Sequence, residues 1–377
     1  MKKKLLSILL CLVMVVGLLP TAAFAAGSVD INETNFPDAK FRSFVKEKLD
    51  KNKDNILDAG EIAAVKEIIA SLRGIKNLKG IEFFTALETL NCVQCELTEL
   101  DVSKNTKLTI LSCWKNELTK LDVSKNTELT SLNCGFNKLT ELDVSKNTKL
   151  EMLDCRGETL SYMKLTKLDV SQNKALKELN CYGVKMQELN VSGCTALEEL
   201  NCGSNQLTAL DVSQNTNLTI LRCGSNHLAE LDVSRNTNLT RLNCEYNNLA
   251  VLDVSKNPEL KHINCGKNGL TSLDLDKNEK ITDVNLDKQQ FYNGTLTAGG
   301  TFNLNGLPGN FVPERATNWV GGTVDETTGI LTVNASATEV TYKYKTKSDS
   351  TETKYLMPCK MQVRGGHDPA HDLHREL

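Results

Sequence analysis

Leu108-Thr-Ile-Leu111-Ser-Cys113-Trp-Lys-Asn116 is followed 21 residues on by Leu129-Thr-Ser-Leu132-Asn-Cys134-Gly-Phe-Asn137. The same words return at Leu218-Thr-Ile-Leu221-Arg-Cys223-Gly-Ser-Asn226 and at Leu239-Thr-Arg-Leu242-Asn-Cys244-Glu-Tyr-Asn247. The template reads L-T-x-L-x-C-x-x-N-x-L-T-x-L-D-V-S-x-N-T-x. Alternation in L-x-C predicts a short strand with two residues facing inward, and Leu118, Leu121 and Val123 carry the inward positions of the return path. One such coil cannot bury its apolar face alone; a stack can.

A fixed period of this length, ending its strand on a turn asparagine, fits the leucine-rich-repeat consensus with Cys in place of the third Leu. About ten coils at ~4.8 Å per strand predict a solenoid near ~50 Å long, with a parallel sheet on its concave face. Asn116, Asn137, Asn205, Asn226, Asn247 and Asn268 stand where the chain turns, and their amides are expected to satisfy backbone groups of neighbouring coils. The repeats are expected over residues 65–290. The spacing widens once, to 26 residues between Cys155 and Cys181. The extra residues fall within Gly157 to Leu165 and predict a surface bulge, read either as a functional loop or as drift.

Composition excludes several function classes. Lys2, Lys3 and Lys4, the apolar run Leu5 to Leu19 and Ala23-Phe24-Ala25 have the plan of a secretory signal peptide over residues 1–25. The 44 Lys and Arg less those three leave 41 against 47 acids, a net charge of −6. That is not the footprint of a nucleic-acid binder. After Leu19 no stretch reaches the ~18 to 20 apolar residues of a membrane span. The chain is expected to be secreted, to associate with a cell surface by other means if at all, and to act as a monomer.

Cys92, Cys113, Cys134, Cys155, Cys181, Cys202, Cys223, Cys244 and Cys265 take the same inward position of successive coils. Side chains on parallel neighbours point the same way at ~4.8 Å, which suits buried thiols better than disulfides. Cys92-Val-Gln-Cys95 is explained by the repeat, since Cys95 takes the turn position, and Cys194 likewise replaces a turn Asn.

These features resemble the internalin family of Gram-positive surface proteins, most of all its cysteine-ladder type; Ile75-Lys-Asn-Leu78-Lys-Gly-Ile81 resembles the entry coils of that family. The resemblance covers Val65 to Leu286. It implies a helical cap before the repeats, an immunoglobulin-like domain after them, and binding of a host protein or glycan on the concave face. No L-P-x-T-G sorting motif is present in the sequence.

Phe36 to Leu49 reads as an amphipathic helix, with Phe41, Phe44, Val45 and Leu49 at helical spacing. Asp50-Lys-Asn52-Lys-Asp54-Asn-Ile56-Leu-Asp58-Ala-Gly-Glu61 follows, with the ligand order of an EF-hand loop. Asp50, Asn52 and Asp54 offer side-chain oxygens, Ile56 its carbonyl, Asp58 a water-mediated contact and Glu61 two oxygens, so a structural calcium is expected in a cap over residues 26–64. Asn55 stands where Gly is usual.

After Leu286 the composition turns to Thr, Val, Tyr and Gly. Val340, Tyr342 and Tyr344 alternate with polar residues, and Tyr355 to Val363 reads as a last strand. A small β-sandwich is expected over residues 291–364, followed by a His-containing tail at 365–377.

No catalytic constellation is present; Asp101, Asp122, Asp143 and Asp211 recur as part of the repeat. The expectation is a binding protein, not an enzyme. Exposed aromatics favour interaction surfaces, so Trp114, Phe136, Tyr182 and Tyr246, with Ile110 and Met152 near Trp114, are the expected ligand-binding residues; core packing is the competing reading of Phe136. Asn91, Ser112, Asn133, Asp154, Asn180, Asn201, Arg222, Asn243 and Asn264 form a polar column that either binds a glycan or hydrates the sheet. The alternative to an adhesin is a scaffold component of an extracellular assembly. An apolar patch around Trp114 would favour the first, a featureless polar face the second.

Overall fold

A computed structural model describes residues 27–71, 73–157, 164–287, 289 and 291–364. The expected signal peptide and tail, and most of the insertion after Gly157, lie outside the described residues.

The repeats form a parallel solenoid. Each coil contributes a three-residue strand to one eleven-stranded sheet, from Glu67–Ile69 through Ile110–Ser112 to Asp283–Asn285. The register is repeat on repeat: Leu111 stands beside Leu90 and Leu132. From Thr89–Asn91 to His262–Asn264 the central Leu or Ile of each strand and the Cys two residues on are buried, as are most Leu and Val residues of the return path. Each buried leucine is worth ~1.5–3 kcal/mol over its exposed state, and every coil repeats that gain. The aliphatic column therefore does the work that aromatics do in an ordinary core.

Two amide spines tie the coils together. In the first, Asn137 Nδ2 donates to Cys113 O at 3.0 Å and Cys134 O at 3.0 Å, while its Oδ1 accepts from Leu118 N at 3.0 Å. In the second, at the S-x-N-T turn, Asn126 Nδ2 donates to Val102 O at 3.0 Å and Asn105 O at 2.9 Å. This second spine runs through Asn147, Asn173, Asn215, Asn236, Asn257 and Asn278. It uses only the donor half of the amide, since Asn126 Oδ1 finds no donor among the described residues. A thiol can therefore stand in: Cys194 occupies this column with its Sγ 3.1 Å from Val170 O.

The widened coil keeps both registers. Met152–Asp154 pairs directly with Glu178–Asn180 on the main sheet, and Asn173 still reaches Val144 O at 3.0 Å. Just past the insertion, Lys167–Asp169 and Glu188–Asn190 form a parallel pair of their own on the return path.

At the N-terminal end, helix Ala39–Lys48 is capped by Asp38, whose Oδ1 accepts from Lys40 N and Phe41 N, both at 2.9 Å. Asp38 Oδ2 accepts from Lys76 N at 2.8 Å, tying the helix to the first coil. Phe36, Phe41 and Phe84 are fully buried between them.

Beyond the last rung, seven strands form sheets of four and three. Phe291–Thr297 pairs in parallel with Leu356–Arg364, which pairs antiparallel with Glu339–Lys345, and that in turn with Ala316–Val320. Thr301–Asn303, Ile330–Val333 and Gly322–Asp325 make the second sheet. The module sits directly on the final coils. Arg315 bonds Asp276 and reaches Asp274 at 3.3 Å, Tyr342 donates to Thr271 O at 2.8 Å, and Leu275 N donates to Thr346 O at 2.9 Å. Cys359 is buried at this junction.

Candidate binding face

The concave sheet presents the first and third residue of every strand and the residue that follows the cysteine. The next position must turn left-handed. Lys115, Phe136, Ser204, Ser225, Tyr246 and Lys267 all adopt φ between 52° and 58°, a conformation that aromatic side chains enter rarely. Phe136 and Tyr246 thus stand on the turn rim, whereas Trp114 and Tyr182 continue the strand.

Two of the expected contact residues, Trp114 and Phe136, meet, and two more, Ile110 and Met152, stand on nearby strands. The rings of Trp114 and Phe136 lie 4.9 Å apart at 58°, on adjacent coils. Trp114 rests against Gly135, where an added Cβ would stand 3.3 Å from the indole Cδ1. Ile110, on the strand leading to Trp114, is 42% exposed. Met152 lies two rungs on, its Sδ 3.9 Å from Ser131 Oγ. The intervening positions Ser131, Asn133 and Gly135 are uncharged.

Tyr182 and Tyr246 stand apart. Tyr182 is three rungs from Trp114, ~14 Å at the strand spacing, and lies against Gly203 as Trp114 does against Gly135. Tyr246 is three rungs further and 45% exposed; the Lys267 ammonium bonds its hydroxyl and lies 3.9 Å from its ring centre.

The polar column has a consistent hydrogen-bond grammar. Asn133, Asn180, Asn201, Asn243 and Asn264 each accept from the backbone N–H two residues on, at 3.1–3.4 Å. That use consumes the acceptor and leaves the amide donors without a protein partner among the described residues. The recurrent aspartates of the return path do the same: Asp122 Oδ1 accepts from Ser124 N at 2.8 Å, and that turn holds its carboxyl below the usual range.

The sequence reading missed a hollow of about 220 Å³ in the middle of the face, lined by Met152, Asp154, Glu178, Asn180, Glu199, Asn201 and Arg222. Asp154 lies half-buried in it, and burial pushes its carboxyl above the ordinary range. Its Oδ2 pairs with Arg156 Nε at 3.2 Å, and Arg222 Nη1 approaches Glu199 at 3.8 Å. The signal was present in the recurrent Glu-Leu-Asn at 178–180 and 199–201, whose glutamates follow the neutral Thr89, Ile110, Ser131 and Met152 at the same position of earlier strands.

The thiols offer no chemistry. Every cysteine among the described residues is buried and none is disulfide-bonded. Burial pushes Cys113 and Cys223 up to about 12, so neither ionises near neutrality.

In the acidic loop, Asp50 is 4% exposed and accepts from Lys53 N at 2.7 Å and Asn55 N at 3.0 Å. Asp54 Oδ1 accepts from Ile56 N at 2.8 Å. Glu61 reaches back across the loop to Lys51 N at 2.6 Å, and forms a capping box with Asp58. Asn55 adopts φ 66°, and Ile56–Leu57 pairs with Val29–Asp30. The donor set is all oxygen, as a hard cation requires. As folded, its carboxylates serve the loop's own amides, and among the described residues no three His, Cys, Asp or Glu side chains are gathered as a metal-ligand group.

Comparison with solved structures places the chain beside the functional domain of InlJ from Listeria monocytogenes, which includes a cysteine ladder. The two share 25% identity and a TM-score of 0.58, over 89% of this chain and 98% of that one. InlP from Listeria monocytogenes is similar in fold, at 18% identity and a TM-score of 0.50 over 88% of this chain and 97% of that one. The leucine-rich repeat domain of APL1B gives a TM-score of 0.51 at 17% identity, over 61% of this chain and 71% of that one. No protein-family model matches the chain, and no characterised protein matches it in sequence. Among the described residues no helix is long and apolar enough to cross a membrane.

Proposed function

We propose that this chain, an internalin-like leucine-rich-repeat protein with a cysteine ladder, is an adhesin-like binding protein that acts outside the cell and takes a protein ligand on its concave face. The observation that carries this reading is the Trp114–Phe136 ring pair on the sheet face, with Ile110 42% exposed on the strand that leads to Trp114. Large rigid side chains at a contact surface bury much area for little lost entropy. The likeness to the InlJ functional domain supports the reading. A glycan ligand draws its support from the asparagine donors of the polar column, and a scaffold role would need neither feature.

The test is a binding screen of the mature chain against panels of purified extracellular proteins and of glycans, with Trp114→Ala and Ile110→Ala beside it. A protein ligand whose affinity falls about tenfold or more in either variant supports the reading. A ligand indifferent to both, or glycan ligands alone, overturns it.

The same reading treats the seven-strand module as immunoglobulin-like, on its division into sheets of four and three, and treats helix and loop together as the N-terminal cap. A calcium ion held by Asp50, Asn52, Asp54, Ile56, Asp58 and Glu61 would clip that cap. On binding, Glu61 would exchange its amide contacts for the ion.

A further inference from the structure

We infer that the hollow at the centre of the concave face receives a lysine or arginine side chain of the protein ligand, an inference that rests on the concave-face reading above. Size comes first. At about 220 Å³ the hollow is smaller than the ~300 Å³ at which small-molecule pockets begin, and it suits one long side chain.

Charge decides the kind. Asp154, Glu178 and Glu199 line the hollow against a single guanidinium, Arg222. Their existing compensation is partial. Asp154 is paired from outside the hollow by Arg156, Glu199 meets Arg222 only at 3.8 Å, and Glu178 makes no ion pair among the described residues. Asp154 is half withdrawn from water, where an arriving cation is attracted more strongly than at a fully exposed carboxylate. The three acids are not gathered into a metal-ligand group. Their spread around a rim suits an ammonium or guanidinium, which carries several diverging donors.

The neutral walls fit the rest of such a ligand. Asn180 and Asn201 have their acceptors bound to Tyr182 N and Gly203 N, both at 3.3 Å, and their amide donors suit a backbone carbonyl. Tyr182, two residues on from Asn180 and 37% exposed, is available to cover an aliphatic stem. Met152 lines the hollow and stands two rungs from Ile110, ~10 Å at the strand spacing, so one extended ligand segment with a basic residue beside an apolar one reaches from the hollow towards Trp114.

The probe is a random dodecapeptide phage library panned on the full chain. The Glu178→Gln, Glu199→Gln double variant and Trp114→Ala are panned beside it, each first matched to the parent in thermal unfolding. The expected peptides are enriched in Lys or Arg next to an apolar residue. Synthetic copies lose about tenfold or more in affinity on the double variant, and again when the basic residue becomes norleucine. Trp114→Ala weakens the same peptides but keeps their basic preference. Peptides without basic enrichment, or equally tight on the double variant, overturn the hollow; sensitivity to Trp114→Ala would then leave the wider reading intact. Peptides indifferent to all three changes, or no binders at all, overturn both.

Discussion

Trp114 and Gly135 are a matched pair: the indole occupies the space that a side chain at residue 135 would need, with Cδ1 only 3.3 Å from the position of a Cβ there. A Cβ at 135 would also stand 2.8 Å from Arg156 O, a backbone atom that cannot swing aside. Gly135→Ala should therefore destabilise the solenoid by about 1–3 kcal/mol and turn the indole off its seat. Urea unfolding checks the first effect and a shift in tryptophan emission the second. An unchanged spectrum would show that Trp114 does not depend on this glycine.

The second spine predicts an order among substitutions at one site. Asn126→Ala removes the amide donor from Val102 O and Asn105 O, which keep only the backbone donors Asn105 N and Leu108 N, at a cost of about 1–3 kcal/mol. Asn126→Cys should cost distinctly less, because Cys194 already serves that column through its thiol. Chemical denaturation of the two variants gives the comparison, and equal losses would refute the donor-only description.

The thiol ladder sets an alkaline limit. Folding raises Cys113, Cys223 and Cys265 from 9.0 to about 12. Between those values the folded chain holds protons that the unfolded chain has released, so stability falls as pH rises. The contribution is intact below about pH 9 and declines by up to about 1.4 kcal/mol per pH unit for each such thiol. Urea midpoints from about pH 8 to about pH 11 should drop steeply above 9. Iodoacetamide at neutral pH should leave the native ladder unlabelled. A flat profile would mean the sulfurs are not buried as described.

Arg315 is the principal ionic link between module and solenoid, bonded to Asp276 and near Asp274. Arg315→Ala should cost about 1–2 kcal/mol and raise amide exchange at Ser348, whose N–H donates to Asp276 at 2.8 Å. Exchange confined to the distant cap would contradict this placement.

Calcium should raise the melting temperature with an apparent affinity of ~0.1–1 mM, as in extracellular loops of this kind. A saturating excess of one hundred times that value is worth about 2.7 kcal/mol. Glu61→Gln should abolish most of the gain, and an equal gain in the variant would exclude the loop as the site.

The solenoid was legible because one period repeats at every level: Leu111 and Cys113 recur every 21 residues, and the strands recur with them. The Trp114–Phe136 contact was legible as well, since residues 21 apart become neighbours and these two are 22 apart. What lies across several coils was not. Glu178 and Glu199 read as ordinary surface acids until the sheet sets them around Asp154. The parallel pairing of Phe291–Thr297 with Leu356–Arg364 is likewise hidden, because alternation tells which side of a strand is apolar and not which strand lies beside it. Tyr182 and Tyr246 were singled out for their chemistry alone, and the rungs between them keep them from acting at one point.

Because both spines join each coil only to its immediate neighbours, a coil is interchangeable with any other that keeps its inward residues. Duplicating or deleting one in the gene would slide every contact on one side of the join by a single increment of ~4.8 Å, without breaking a bond elsewhere. Recombination can thus adjust the distance between the aromatic patch and the acidic hollow in discrete steps, a form of tuning that a globular receptor lacks.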